Sequence, residues 1–241
     1  MKLTITQNIF APNEELFTKN IKSIQSLYKL RGNNFRFIGW AKEDYWNSIE
    51  KAIKPLNPEI LIRQEYNYGK AFNMNVVHKN IKTDFLLTLD SDIILNDSDY
   101  MRKIEEIIDI PNIGIIAFNQ LEHNCHITQI QNMSMIHNNH RIIYNNNGNG
   151  IAGGCILVNK KAWEDVNGYR VMGVYAGEDG YFFKNVKEKN YFVGLDTDIY
   201  VTHPQDNDRE YQLWKLHMCH RDSNGIDRDI SEMVKNETNR W

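Results

Sequence analysis

At 241 residues, with 41% hydrophobic and 24% charged side chains, the chain has a globular composition and enough length to bury a sizeable core. Its net charge of −3 and sequence pI near 6.2 exclude a general electrostatic pull toward nucleic acid or anionic membrane, leaving only local patches for such contacts. Cys125, Cys155 and Cys219 are an odd set without C-x-x-C spacing, which reads as reduced thiols rather than a disulfide framework. The amino terminus, "MKLTITQNIF", alternates like a strand and lacks the apolar core of a signal peptide. No apolar run approaches the ~18 residues of a membrane span. A soluble cytoplasmic protein is the expectation.

"KLTITQNIF" predicts a first strand. "LFTKNIKSIQSLYKL" predicts a helix with Leu16, Ile21, Ile24, Leu27 and Leu30 roughly on one face, broken by Gly32 and Asn33. "NFRFIGW" follows as a second strand, and "EDYWNSIEKAI" as a helix stopped by Pro55 and Pro58. "EILIRQ" is a third strand; "YGKAFNMNVVHKNI" is a helix opened by a glycine turn, feeding the strand "DFLLTLD". This alternation is the pattern of a mostly parallel sheet with helices on both faces.

Further on, "MRKIEEIIDI" predicts a helix and "IGIIAFNQ" a strand. Residues 121–150, rich in Asn, His and Gln and ending in "NNNGNG", predict a long mobile loop. "GGCILVNKKAWEDV" reads as a glycine turn, a strand and a short helix. "GEDGYFFKNVKEKN" reads as a helix with acids in its first turn, and "YFVGLDTDIYVTHP" as a last strand. From Gln205 the chain is polar apart from the aromatic patch "YQLWKLHM". No repeat and no linker divides the sequence, so one domain over 1–241 is expected.

The stretch "DFLLTLDSDIILND" places Asp90 and Asp92 inside an apolar run, where an unpaired carboxylate costs several kcal/mol. A D-x-D alone says little, because the chain also carries Asp97/Asp99, Asp196/Asp198, Asp206/Asp208 and Asp227/Asp229. Only the pairs at 90/92 and 196/198 follow apolar strands. Asp90 and Asp92 stand where the fourth strand ends, and ligands of open α/β sheets bind outside the carboxyl ends of strands. Two carboxylates there can hold one hard divalent cation, its shell completed by water and phosphate oxygens. Asp92 is the stronger direct ligand; Asp90, nearer the strand body, could instead accept hydrogen bonds from a ribose.

The ordered set "YGKAFNMN", "FLLTLDSDIIL", "GIAGGCILVNKKAWEDVNGYR", "GEDGYFFKNV" and "YVTHP" resembles family-2-type glycosyltransferases of the GT-A fold. The likeness runs from about residue 60 to 204. It implies an α/β fold with a mostly parallel, Rossmann-like central sheet flanked by helices, followed by a small helical C-terminal extension. It also implies a nucleotide-binding half over 1–110, an acceptor half over 111–204 and an extension over 205–241. "FAPNEELFTKNIKSI" is similar to the family's first loop and helix, though no aromatic separates Pro12 from Asn13. By that likeness Pro12, Asn13 and Glu14 join the donor site. The expected activity is metal-dependent, inverting transfer of a hexosyl-type sugar from a nucleotide donor, UDP-linked, to an acceptor hydroxyl. Mn²⁺, or Mg²⁺, would bridge Asp90, Asp92 and the diphosphate, and His203 of "YVTHP" would complete the shell. An imidazole nitrogen suits Mn²⁺ better than Mg²⁺; the plainer reading of His203 is a turn residue before Pro204. Asp179 of "GED" would be the base and Glu178 would orient the acceptor, although acids also favour a helix's first turn through its dipole. The acceptor could be a glycan, a lipid-linked sugar, a protein or modified DNA.

Several residues keep two readings. Gly153 and Gly154 could let backbone approach a ligand or simply turn into a strand. Lys70 could reach a phosphate or be a solvated helix lysine. Trp40 and Trp163 could stack on a sugar or base, or belong to the core. His123, His126, His137 and His140 fit no zinc spacing and read as part of the mobile acceptor loop. Two other functions share parts of this pattern. A GT-A-type nucleotidyltransferase would want a glycine-rich basic loop after the first strand, which is missing. A non-enzymatic carbohydrate-binding module leaves the acids without a task.

Overall fold

The computed structural model describes residues 1–122, 133–145, 151–175 and 177–215. The first half alternates strand and helix as the apolar periodicity requires. β1 (Thr4–Ala11), α1 (Glu14–Ser26), β2 (Asn34–Ala41), α2 (Glu43–Ile53), β3 (Ile60–Arg63), α3 (Lys70–Val77) and β4 (Phe85–Leu89) follow one another. Asn13 starts α1 by accepting a 2.9 Å hydrogen bond from the Leu16 N–H, with Glu14 and Glu15 in the dipole-favoured first turn. Gly69 starts α3 at φ +80°, and a Cβ there would lie 2.5 Å from the Val174 carbonyl oxygen, so only glycine fits.

The second half contributes β5 (Ile94–Leu95), α4 (Tyr100–Ile107), β6 (Ile113–Leu121), β7 (Met133–His137), β8 (His140–Tyr144), β9 (Cys155–Asn159), α5 (Lys160–Asp165), α6 (Glu178–Glu188) and β10 (Phe192–Thr202). Among the described residues the sheet has ten strands in the order β3-β2-β1-β4-β9-β6-β10-β8-β7, with β5 paired to the end of β10. β1 to β4 run parallel; β9 runs antiparallel between β4 and β6, and β10 is parallel to β6. β1 and β4 are buried almost throughout, as strands covered on both faces must be. One face packs on Ile24, Ile49, Ile53, Tyr100 and Ile104 from α1, α2 and α4. The other packs on Met74, Val77, Trp163, Phe182 and Phe183 from α3, α5 and α6.

The long loop expected over 121–150 is corrected in part. Residues 133–144 form the β7–β8 hairpin at the sheet edge. Its turn residues, Asn138 and Asn139, have φ of 45° and 70°, the positive values a tight hairpin needs and asparagine tolerates. At 138 and 139 asparagine therefore marks a turn inside a strand pair. His137 and His140 are correspondingly fixed in place. His140 Nδ1 lies 2.7 Å from Asp196 Oδ2 and its Nε2 lies 3.0 Å from Glu106, while His137 Nε2 meets Asp109 at 2.6 Å. His123, His126, Cys125 and Cys219 lie outside the described residues.

Candidate active site

From β1 the chain winds outward through β2 and β3, then returns to place β4 on the other side of β1. This reversal opens a crevice at the carboxyl ends of β1 and β4, the place where an open α/β sheet receives its ligand. A cleft of about 380 Å³ lies there. Lys70, Asp90, Asp92, Gly153, Gly154, Glu178, Asp179 and His203 all line it, although the sequence spreads them over more than half the chain.

Two clusters organise the cleft. In the first, Lys70 is only 8% exposed and its ammonium meets Asp90 Oδ1 at 2.8 Å, Asp179 Oδ1 at 3.0 Å and the Gly153 carbonyl at 3.0 Å. Burial alone would depress this lysine; the two carboxylates more than reverse that and hold its pKa well above the ordinary range. Burial pushes the Asp90 carboxyl up, against the pull of Lys70. The Tyr169 hydroxyl donates to Asp179 Oδ1 at 3.3 Å. Gly153 is shaped by the same carboxylate, since a Cβ there would lie 2.1 Å from Asp179 Cγ. Glu178, at the start of α6, is buried beside it.

In the second cluster His203 Nε2 stands 3.4 Å from Asp92 Oδ2, and its Nδ1 is 2.8 Å from Gln120 Oε1. Since the amide oxygen can only accept, Nδ1 carries a proton in this pair; with Nε2 protonated as well the ring donates to Asp92, and on losing that proton it offers the Nε2 lone pair to a cation. Burial would raise Asp92, but the His203 hydrogen bond and charge outweigh it and hold the carboxyl below its usual range. Burial would likewise lower His203, and Asp92 raises it instead. Among the described residues no group of three or more His, Cys, Asp or Glu could hold a metal by itself. The Asp92–His203 pair nevertheless fits a divalent cation that takes the rest of its shell from a ligand. Neighbouring donors around an octahedral ion sit ~3 Å apart, close to the separation found, and a hydrogen-bonded second ring nitrogen is the usual support of a metal-binding histidine.

Residues 205–215 form a wall that sequence reasoning left unassigned. Residues 209–215 are helical, and Tyr211, Trp214 and Lys215 reach the cleft. Trp214 stacks on Phe10 at 5.7 Å and on Tyr211 at 5.6 Å between centroids. The segment is strapped to α1: Asp206 bridges Lys19 at 2.9 Å and Lys215 at 2.6 Å, and Asn13 donates to Asp208 at 2.6 Å. Pro12, Asn13 and Glu14 do not line the cleft; Asn13 caps α1 and anchors this strap. Trp163 lies in the core and Trp40 packs on Phe10 behind the cleft wall. Gln120 and Tyr169 were also unforeseen. Tyr169 stands within the "GYR" of the resemblance, and Gln120 is placed by its register opposite Val201, two residues before His203.

The rival pair Asp196/Asp198 does not reach the cleft. Asp196 is fully buried, and its Oδ1 accepts from the Asp198 and Ile199 N–H groups at 2.7 and 3.2 Å where β10 bulges against β6. Its other oxygen faces His140. That pair holds a bend.

The chain shares its fold with solved glycosyltransferases of the GT-A architecture. Mannosyltransferase PcManGT from Pyrobaculum calidifontis, solved in complex with GDP-Man and Mn²⁺, matches it with TM-score 0.65 at 10% identity, over 88% of this chain and 59% of that one. S. aureus TarS 1–349 matches with TM-score 0.60 at 14% identity over 97% of this chain and 68% of its own, and its complex with UDP-GlcNAc does so equally, over 69% of its own chain. The chain therefore spans about three-fifths of the mannosyltransferase. No family model and no curated protein matches it. Among the described residues no helix is long and apolar enough to cross a membrane.

Proposed function

We propose that the chain is a metal-dependent glycosyltransferase that moves one sugar from a nucleotide donor to an acceptor hydroxyl with inversion at the anomeric carbon. The observation that carries this reading is the meeting of Asp92 with His203, and of Lys70 with Asp179, in one cleft at the switch point of a GT-A sheet. In it residues 1–110 hold the nucleotide, 111–204 present the acceptor, and the strap after Pro204 completes the wall. A UDP-linked donor is the first to test and GDP-mannose the second.

Asp92 and His203 would hold a divalent cation, Mn²⁺ before Mg²⁺; when bound, it neutralises charge developing on the leaving diphosphate. Asp179 takes the acceptor proton as the hydroxyl oxygen attacks the anomeric carbon and the bond to the diphosphate breaks. A carboxylate offers about four acceptor positions, so Lys70 and Tyr169 can hold it and still leave one for the acceptor. Phe10, Tyr211 and Trp214 form an aromatic wall suited to the flat base of the nucleotide.

A panel of UDP- and GDP-sugars with and without Mn²⁺ tests this by thermal shift and release of nucleoside diphosphate. A donor at about 100 times its Kd adds about 2.7 kcal/mol of stability. Asp92→Asn and Asp179→Asn should each abolish transfer while leaving a cooperative melt. Indifference to every nucleotide, or full turnover in both variants, would refute the reading.

A further inference from the structure

We infer that the two aspartates of the D-x-D divide their work: Asp92, with His203, serves the cation, whereas Asp90 acts through Lys70 to position Asp179. This rests on the glycosyltransferase reading and assigns Asp90 and Lys70 within it. Lys70 is then a positioning residue and not a phosphate ligand.

The ammonium of lysine has three donors. All three are taken inside the protein, by Asp90 at 2.8 Å, Asp179 at 3.0 Å and the Gly153 carbonyl at 3.0 Å, and the side chain is 8% exposed. A diphosphate entering the cleft finds no free N–H on it. Asp90 is tied into the same cluster. One of its carboxylate oxygens faces Lys70, its backbone N–H donates to the Gly154 carbonyl at 2.8 Å, and its own carbonyl accepts from Gln7 Nε2 at 3.1 Å. A carboxylate already paired with a buried ammonium is a poor ligand for a second cation, which would also be repelled by that ammonium. Asp92 has the complementary surroundings, with an imidazole at 3.4 Å. The spacing of the motif thus sends one carboxylate to the metal side and the other to the base side. The Gly153–Gly154 turn joins them, because Lys70 and Asp90 hold its two carbonyls and Asp179 packs on its missing side chain.

The test uses the full chain, with Mn²⁺ plus UDP as the probe and the free Mn²⁺ electron spin resonance signal as the readout. Asp92→Asn should weaken Mn²⁺ binding by about 10–100-fold, the range for disrupting a metal's support, while Asp90→Asn and Lys70→Met leave it within about threefold. In turnover, Lys70→Met and Asp90→Asn should lower kcat by about 10²-fold with donor KM nearly unchanged, as expected for a misplaced base. Lys70→Arg should recover part of the loss. Asp90→Asn weakening Mn²⁺ as much as Asp92→Asn would overturn the division, and so would Lys70→Met raising donor KM with kcat intact. A ligand-free measurement separates this inference from the reading beneath it. The melting-temperature losses of Lys70→Met and Asp179→Asn should be non-additive, the double variant losing less than their sum; additive losses would overturn the linkage even in an active enzyme. Failure of the wild-type chain to bind Mn²⁺–UDP would instead overturn the glycosyltransferase reading, and the metal half of this inference with it.

Discussion

Gly153→Ala probes the proposed base most directly, because the side chain it adds would occupy the space of the Asp179 carboxylate. The new Cβ would lie 2.1 Å from Asp179 Cγ and 2.2 and 2.5 Å from its oxygens. Carbon atoms in contact sit about 3.5–4.0 Å apart, so the carboxylate must retreat by ~1.5 Å. Gly153 is not among the positive-φ glycines, so alanine brings no backbone strain of that kind. Asp179 is partly exposed and can swing away, which limits the loss of stability. The retreat does break its contacts with Lys70 and Tyr169, now 3.0 and 3.3 Å. A misplacement of this size can cost about 10²-fold in rate, or about 2.7 kcal/mol in the barrier. Release of nucleoside diphosphate should therefore fall about 10²-fold. Donor-induced thermal stabilisation should persist, because Asp92 and His203 are untouched. Gly154→Ala is the comparison: its Cβ meets the Gln120 amide at 3.0 Å and Ile93 Cδ1 at 3.1 Å, so it presses on the partner of His203 and leaves Asp179 in place. A Gly153→Ala enzyme with wild-type turnover and an unchanged melt would refute the placement of Asp179 at the reacting centre.

Removing the partner of buried Asp196 by His140→Ala should cost about 3 kcal/mol in urea denaturation, the usual result of stranding a buried charge; an unchanged midpoint would show that Asp196 carries no charge needing that partner. Burial, aided by the Arg36 charge, holds His78 down to about 3 from an ordinary value near 6.5. Below pH 6.5 the unfolded chain takes up a proton that the folded chain refuses at His78, so this residue should lower stability by about 1.4 kcal/mol per pH unit on acidification and contribute no slope above. His78→Gln should remove that slope between pH 6.5 and 5, and a slope that survives would assign it to other groups. Trp214→Ala strips the stack on Phe10 and Tyr211 and should cost about 3 kcal/mol while weakening UDP binding; undiminished UDP affinity would remove the C-terminal wall from the nucleotide site.

Much of the first half was legible because its information is local. Periods of 2 and 3.6 residues, with Gly and Pro punctuation, mark each strand and helix up to Asp90, and the helix read over "EDYWNSIEKAI" is α2 to the residue. The hairpin over 133–144 was misread because asparagine serves both loops and tight turns, and only pairing with β10 distinguishes them. The D-x-D was legible, and its place after successive βα units favoured Asp90/Asp92, although a rival copy at Asp196/Asp198 also follows an apolar strand. Tertiary structure made the choice by ending β4 at the switch point and by bulging β10 so that Asp196 turns back onto its own backbone. It also decided where Lys70 sits. Its partner carbonyl at Gly153 lies 83 residues away and its partner carboxylate at Asp179 lies 109 away, and no local pattern encodes such a meeting. A lysine after a glycine turn looks the same in sequence whether it is solvated or buried between two carboxylates. The sheet order that brings α3, β4, β9 and α6 around one crevice selects the second, because a buried ammonium is tolerable only where charge of the opposite sign surrounds it.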